Sequence, residues 1–439
     1  MNMTKNARQA ALETLTRCRR DGAYSGASID AVLRKYELSR RDAALAARLC
    51  LGVLQNDSLC DYYIGCYCHS KLEPKLRDIL RLGVYQILFL DRIPAHAAVS
   101  ETVTLCRQNG LSRASGLANA VLRRIADERE TLPDIPGEGT AAYLSVRYSH
   151  PLWLCEYMMA KKGYAFAEGF FAANNCPAQL CLQVNTLKVE TADYVRALER
   201  MEIPCRAMPP EGCVVLDGGL ASELPGYEEG LFYVQDRAAR LAVEIAAPEP
   251  GMRVLDACAC PGGKSFAAAI RMQNRGSILA CDIHEKKLAV LDAGAKRLGL
   301  DMITTRAMDA RVFEPAFEQQ FDLVIADVPC SGLGVIAKKP EIRGKDPASL
   351  RNLPEIQLAI LENLARYVRP GGVLLYATCT VLSEENEDVA KRFLAQNHSF
   401  QAESFSVCGI ESETGMYTFW PNVDGTDGFF AAKFRKKTQ

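Results

Sequence analysis

Two cysteines, Cys330 and Cys379, sit in short loops of small and polar residues, Asp327-Val-Pro-Cys-Ser-Gly-Leu-Gly334 and Tyr376-Ala-Thr-Cys-Thr380. Each loop follows an apolar run of strand character, Leu323–Ala326 and Val373–Tyr376. The thiolate is the reactive form of cysteine, and it needs a lowered pKa or an adjacent base. Two thiols held together suit a reaction in which one adds to a carbon and the other helps it leave. Carbon 6 of cytosine is such a target, because carbon 5 is a poor nucleophile until a thiolate adds to C6 and makes the ring an enamine. Once C5 has taken a methyl group, a base must remove the C5 proton so that the thiolate can be eliminated. An acid group such as Asp327 near N3 would favour the charge shift. A base inside structured RNA must also be flipped out. Free cysteines are among the most buried residue types, and the chain has 17, so either one alone reads as structural. Two of them, each after a sheet strand in a loop of Gly, Ser, Thr and Pro, do not.

A methyl donor must lie beside them, and the densest signal in the chain supplies a place for one. In Val254-Leu-Asp-Ala-Cys-Ala-Cys-Pro-Gly-Gly-Lys-Ser265 an apolar strand ends at Asp256, and Gly262 and Gly263 lead into a helix over Ser265–Ile270. Glycines there let a ligand approach the backbone N–H groups at the positive end of the helix. A phosphate-binding P-loop would need glycine where Cys258 stands, and a G-x-G-x-x-G dinucleotide fingerprint is also missing. A Rossmann-like turn of another type, suited to a methyl-donor nucleoside, remains. Asp282 ends the next strand, placed to accept hydrogen bonds from ribose hydroxyls, although a strand-end Asp is often only a helix cap. Asp309 follows a third strand candidate and is placed either to border the adenine or as a surface loop residue.

The elements that must position these residues alternate. Strand signals at Arg253–Asp256, Ser277–Cys281, Leu323–Ala326 and Val373–Tyr376 are separated by helical runs such as Glu285–Leu298 and Leu353–Val368. A late pair runs through Tyr417–Trp420 and Gly428–Phe434. Strands alternating with helices imply a parallel sheet covered on both faces. In a doubly wound sheet of order 3-2-1-4-5, the fourth and fifth strands are neighbours, so Cys330 and Cys379 are expected within a few ångströms of each other. Residues 1–130 read as helices, with helical periodicity in Ala10–Leu15, Ala43–Leu54, Ile79–Leu90, Ala97–Cys106 and Leu117–Ile125. Breaks fall at Asn56-Asp-Ser58 and Pro94. Residues 131–140 are a Pro- and Gly-bearing linker. Residues 141–245 form a mixed segment with short strands at Leu180–Asn185 and Val214–Leu216 and a helix at Thr191–Met201. Residues 246–439 are the catalytic domain.

At 439 residues, two or three domains are expected. The apolar share of 49% and charged share of 24% are those of a soluble globular protein. Neither a membrane span nor a secretory h-region is evident, and the odd cysteine count points to a reducing, cytoplasmic setting. Residues 1–130 carry 20 Lys and Arg against 14 Asp and Glu, an excess of +6; with −1 overall, the rest of the chain carries −7. A basic front on an acidic body suits a polyanion-binding module attached to an enzyme, or merely a solvated basic face.

Four motifs, Asp256-Ala-Cys-Ala-Cys-Pro-Gly-Gly-Lys-Ser265, Asp327-Val-Pro-Cys-Ser-Gly332, Thr378-Cys-Thr380 and Asp427-Gly-Phe-Phe430, together resemble the Nol/Nop/Sun family of RNA cytosine-5 methyltransferases. The resemblance implies that Cys379 is the nucleophile and that Cys330 helps release product. It also implies that Cys258, Ala259, Cys260, Pro261, Gly262, Gly263, Lys264, Asp282, Asp309 and Asp327 line an S-adenosyl-L-methionine site. Cys260 stands where the family more often has Ala. The family's segment before the cofactor domain is echoed by Tyr233-Val-Gln-Asp-Arg237. In the front domain, Ala7-Arg-Gln-Ala-Ala-Leu, Arg81-Leu-Gly-Val-Tyr-Gln-Ile-Leu, Ile93-Pro-Ala-His-Ala-Ala-Val-Ser-Glu101 and Ala118-Asn-Ala-Val-Leu-Arg-Arg124 resemble a NusB-like helical RNA-binding domain. That fusion implies a specific cytosine of 16S ribosomal RNA as target, with Arg123 and Arg124 contacting phosphate. The implied fold is α/β: a class I Rossmann-like methyltransferase sheet, doubly wound and mostly parallel. An all-α NusB-like domain stands in front of it, with a small α/β RNA-binding segment between.

Other readings carry less. Cys60, Cys66, Cys68 and His69 lie close in sequence but lack the second ligand pair of a zinc site, so no metal is expected. His96 and His150 sit beside prolines and read as structural, and no Ser–His–Asp set suggests a hydrolase. A monomer is expected. A non-catalytic RNA-binding or assembly factor on the same scaffold has no need of two loop thiols. The same chemistry on transfer RNA or large-subunit RNA is opposed only by the NusB-like front.

Overall fold

The computed structural model describes residues 6–21, 25–219 and 221–438. The chain forms two compact units, residues 1–176 with 336–345, and residues 177–335 with 346–439.

The first unit is helical. Ala7–Asp21, Ser25–Tyr36, Arg40–Gln55, Asp57–Tyr67, Pro74–Phe89, Ala95–Gln108 and Ser115–Asp127 are followed by Ala141–Arg147, Leu152–Lys162 and Tyr164–Asn175. Their apolar stripes meet in a core that includes Leu49, Val53, Ile79, Leu82, Val84 and Leu122. Asn56 ends one helix where the sequence predicted a break, and its amide donates to the Gly52 carbonyl at 2.9 Å. Proline at position 94 precedes the first turn of the helix Ala95–Gln108, where the chain must enter extended. Arg81 of the Arg81-Leu-Gly motif is buried and paired with Asp78 at 2.8 Å and Asp61 at 2.5 Å, a structural rather than a ligand-facing role. Arg343, also buried, gathers the carbonyls of Gln55, Tyr148 and Ser149 and so fixes residues 336–345 within this unit.

The second unit begins with a four-stranded antiparallel sheet of β1 (Leu180–Val184), β2 (Cys205–Met208), β3 (Cys213–Leu216) and β4 (Phe232–Val234), in the order β2-β3-β1-β4. The helix Thr191–Arg200 covers one face with Tyr194 and Leu198, closing a small core with Leu182, Val214 and Phe232.

The large sheet follows. Its strands are β5 (Arg253–Asp256), β6 (Ser277–Asp282), β7 (Ile303–Ala307), β8 (Phe321–Asp327) and β9 (Val368–Thr378). After β10 (Phe400–Ala402) comes a separate hairpin of β11 (Phe405–Val407) and β12 (Ile410–Ser412), then β13 (Met416–Phe419) and β14 (Phe429–Lys436). The order is β10-β14-β9-β8-β5-β6-β7, and β13 also pairs with β14. The five strands β7-β6-β5-β8-β9 are parallel, in the doubly wound order expected from the sequence. β14 is antiparallel, pairing Phe430 with Thr378 through Arg435 with Val373. β5, β8 and β9 are buried on both faces, which their continuous apolar runs require. Helices such as Gly263–Arg271 and Leu353–Ala365 cover them.

Candidate functional site

The carboxyl ends of β5, β6, β8 and β9 carry the chemistry-bearing residues. Cys330, three residues past β8, and Cys379, one past β9, approach to 3.2 Å between sulfurs. The Cys379 N–H also donates to Cys330 Sγ at 3.3 Å. Both side chains are half-buried. The Cys379 sulfur, and then burial, push the Cys330 thiol well above its ordinary pKa. Burial and the neighbouring sulfur thus disfavour a thiolate at Cys330, and either sulfur can donate in the S–H···S contact.

Two glycines make this approach. The Gly334 N–H donates to the Cys379 carbonyl at 2.9 Å, and the Gly334 carbonyl accepts the Gly428 N–H at 2.8 Å. A Cβ on Gly334 would stand 1.8 Å from the Gly428 oxygen and 2.9 Å from the Cys379 oxygen. The Asp427-Gly-Phe-Phe430 motif is thus a buttress for the cysteine loops. Phe429 adds a ring 4.9 Å from Lys264 Nζ.

The cofactor-type turn lies next to this. Ala259 N–H donates to the Cys281 carbonyl at 2.7 Å, binding the turn to the end of β6, and Gly262 adopts φ +113°. No side chain caps the helix Gly263–Arg271, so its leading N–H groups are left for a ligand. Asp256 is wholly buried; Oδ2 accepts the Ser265 hydroxyl at 2.7 Å, while Oδ1 has no hydrogen-bond partner among the described residues. Burial pushes its carboxyl up to about 7. Burial, then the charge of Asp282, pushes the Cys260 thiol up to about 12. Asp282 accepts the His284 N–H at 2.8 Å and remains half-buried at the strand end. Asp327 takes Lys264 Nζ on Oδ2 at 2.6 Å, which leaves Oδ1 to accept from a ligand. Asp309 is gripped by Arg311 through Nε at 3.0 Å and Nη2 at 2.6 Å; this pair holds its carboxyl below the usual range. An uncapped helix start, an unpartnered buried carboxylate oxygen and a strand-end aspartate are a donor and acceptor set that fits a nucleoside carrying a positive sulfonium.

The segment Tyr233-Val-Gln-Asp-Arg237 acts as a strap. The Gln235 side chain lies against Gly263, where a Cβ would meet its Nε2 at 3.1 Å. Asp236 caps the helix Arg237–Ala246 and accepts the Asp427 N–H at 3.2 Å. Three residues that sequence reasoning passed over, Gln357, Glu385 and Asn386, join Thr378 in a buried polar layer behind the cysteines. Glu385 falls in Ser-Glu-Glu-Asn-Glu, which has the composition of a solvated acidic run, so nothing local marked it as buried.

In the helical unit, Arg123 lines a cleft of about 450 Å³ with Arg107, His96 and Asn119. Arg124 instead stacks 4.9 Å over Tyr67 and pairs with Glu128 at 3.3 Å. His150 is buried, with Nδ1 2.7 Å from the Tyr148 carbonyl, and burial lowers its pKa. Among the described residues no three His, Cys, Asp or Glu side chains converge as a metal site, and no helix is long and apolar enough to cross a membrane.

Fold and site together define a Rossmann-like methyltransferase body that follows a NusB-like helical domain along the chain. Residues 243–435 match the family described as 16S rRNA methyltransferase RsmB/F, residues 5–127 the NusB family, and residues 150–222 the ferredoxin-like domain of RsmF/B-like methyltransferases. A probable ribosomal RNA small subunit methyltransferase B from Bacillus subtilis is 33% identical, over 98% of this chain and 99% of its own. The crystal structure of PH0851 is 26% identical and superposes over 99% of this chain and 100% of its own, with TM-score 0.81. A methyltransferase homolog protein from Pyrococcus horikoshii, 27% identical, covers 67% of this chain and 97% of its own, with TM-score 0.58. The chain belongs to the RsmB/F methyltransferase family.

Proposed function

We propose that the protein transfers a methyl group from S-adenosyl-L-methionine to carbon 5 of a specific cytosine in 16S ribosomal RNA, through a covalent bond between Cys379 and C6. The observation that carries this reading is the 3.2 Å approach of Cys379 and Cys330 beside the glycine turn. Membership of a 16S rRNA methyltransferase family supplies the substrate class.

S-adenosyl-L-methionine would supply the methyl group as a sulfonium electrophile. The Cys379 sulfur adds to C6 as a thiolate, and the C5–C6 π electrons move into the ring as an enamine. Asp327, held by Lys264, accepts a hydrogen bond from the Watson–Crick edge and orients the base. C5 takes the methyl group, whose bond to the donor sulfur breaks and leaves its electron pair there as a neutral thioether. With the Cys379 sulfur tied up in the adduct, Cys330 passes its proton to water and removes the C5 proton. The C–H electrons restore the C5–C6 double bond and expel the Cys379 thiolate. Asp282 holds the ribose hydroxyls, and the N–H groups at the start of the helix Gly263–Arg271 hold the donor's polar atoms. The helical unit, through the cleft at Arg107 and Arg123, contributes phosphate contacts.

The test is to map methylated cytosines in 16S RNA from cells with and without the gene, and then to add the purified protein and cofactor to the unmodified RNA. One cytosine should lose its 5-methyl group in the deletion and regain it in vitro. A 16S RNA with unchanged methylation, or methyl groups appearing only on transfer or 23S RNA, overturns the reading.

A further inference from the structure

Behind the two cysteines lies a buried carboxylate that the scheme above does not use. Glu385 is 1% exposed. Its Oε2 accepts the Ser331 backbone N–H at 2.9 Å and Gln357 Nε2 at 2.8 Å, and its Oε1 accepts the Thr380 hydroxyl at 3.4 Å. Ser331 and Thr380 each follow a cysteine directly, and their hydroxyls lie 2.6 Å apart. Gln357 also donates to the Pro329 carbonyl at 3.0 Å, on the other side of Cys330. Asn386 donates to the Thr380 carbonyl at 3.0 Å and accepts the Thr378 hydroxyl at 2.5 Å, bracketing Cys379. Glu385 thus joins one loop to the other through neutral donors alone.

A buried carboxylate is costly unless it is fully hydrogen-bonded. The tying of loops needs only an acceptor, which a neutral glutamine supplies more cheaply. What remains to be explained is the charge. The titratable groups around it are Cys330 and Cys379, Asp327 with its partner Lys264 on the neighbouring strand end, and the Tyr376 hydroxyl, which donates to the Glu385 backbone carbonyl. The carboxylate lies 2.9 Å from the backbone N–H next to Cys330 and 3.4 Å from the Thr380 hydroxyl next to Cys379, so its charge disfavours an anion at Cys330 more than at Cys379.

We infer that Glu385 is a positioning residue for the reaction: it pins the Cys330 loop to the Cys379 loop, and its charge keeps the pair's proton on Cys330, leaving Cys379 as the attacking sulfur. The upward push on the Cys330 thiol, to which the Glu385 charge contributes, agrees with this. The inference rests on reading Cys379 and Cys330 as the reacting pair.

The test compares the full-length protein with Glu385→Gln by brief iodoacetamide labelling and peptide mapping, without RNA or cofactor, alongside kcat and KM. The wild type should label at Cys379. In Glu385→Gln, label at Cys330 relative to Cys379 should rise roughly tenfold, and kcat should fall while KM for the cofactor holds. If Glu385→Gln loses its cooperative melt, Glu385→Asp carries the test. It keeps the charge and shortens the reach, so label should stay on Cys379 while kcat falls. Wild-type label on Cys330 sinks the choice of attacking sulfur and this inference with it. Wild-type label on Cys379 that a folded Glu385→Gln leaves unmoved sinks the role of Glu385 alone. So does Glu385→Asp with unchanged kcat.

Discussion

Gly334 and Cys379 are joined backbone to backbone, the N–H of one donating to the carbonyl of the other at 2.9 Å, so the loop after β8 is fastened to the loop after β9. Gly334→Ala should break this fastening, since its Cβ would fall 1.8 Å from the Gly428 oxygen and neither backbone can yield without moving a cysteine. Overpacking of this kind costs about 1–3 kcal/mol. Displacing a reacting sulfur by about 1 Å should lower kcat roughly 100-fold. Gly116→Ala, in open space on a helix of the other unit, is the control and should leave both unchanged. Thermal melts and single-turnover methylation check the pair. Normal turnover in Gly334→Ala would remove the buttress from the account.

If Asp282 accepts the ribose hydroxyls as proposed, Asp282→Ala should weaken cofactor binding by about 1–3 kcal/mol, the cost of leaving them without an acceptor. The side chain also accepts the His284 N–H, so the melt must be recorded with the calorimetry. Unchanged affinity with an unchanged melt would leave Asp282 as a turn residue only.

Asp256 sets a pH dependence. Burial raises its folded pKa to about 7, above the ordinary carboxyl value near 3.8, so the folded state holds a proton that the unfolded chain releases. The stability this contributes is fully present below about pH 4 and is lost as pH rises towards 7. Asp256→Asn keeps the shape and removes the titration. Between pH 4 and 7 the wild type should therefore lose stability relative to Asp256→Asn, by a few kcal/mol at most. Parallel denaturant titrations across that range check it, and parallel curves for the two proteins would contradict it.

How far the sequence anticipated this site follows from what each signal depends on. The order β7-β6-β5-β8-β9 was legible because strand-like runs alternate with helices, and the doubly wound arrangement that such alternation implies sets the fourth and fifth strands side by side. The meeting of Cys330 with Cys379 followed from that order alone. The helices Ala141–Arg147, Leu152–Lys162 and Tyr164–Asn175 were not read, because their short, broadly apolar runs such as Tyr164-Ala-Phe-Ala lack a polar face to set the period. Glu385 was hidden for the opposite reason. Three acidic residues among four read as solvated, and only the fold brings Ser331, Gln357 and Thr380 around one of them. The Asp309–Arg311 pair, a two-residue local contact, was visible in the sequence but carries no mark that separates a cofactor-facing carboxylate from a surface one.

The division of labour between the sulfurs gives the sharpest prediction. If Cys379 attacks C6 and Cys330 removes the C5 proton, Cys379→Ser should form no adduct and no product, with cofactor affinity kept. Cys330→Ser should still form the bond and transfer the methyl group, but a hydroxyl is too weak a base to take the C5 proton at neutral pH. The RNA then stays attached, and the variant should show a covalent protein–RNA band on a denaturing gel that the double variant lacks. The 3.2 Å contact makes the single substitutions informative, since serine at either position leaves the opposite sulfur in place and the backbone contact from Gly334 intact. An adduct in Cys379→Ser, with normal turnover in Cys330→Ser, would exchange the two roles. It would also run against the upward push that its neighbour exerts on the Cys330 thiol.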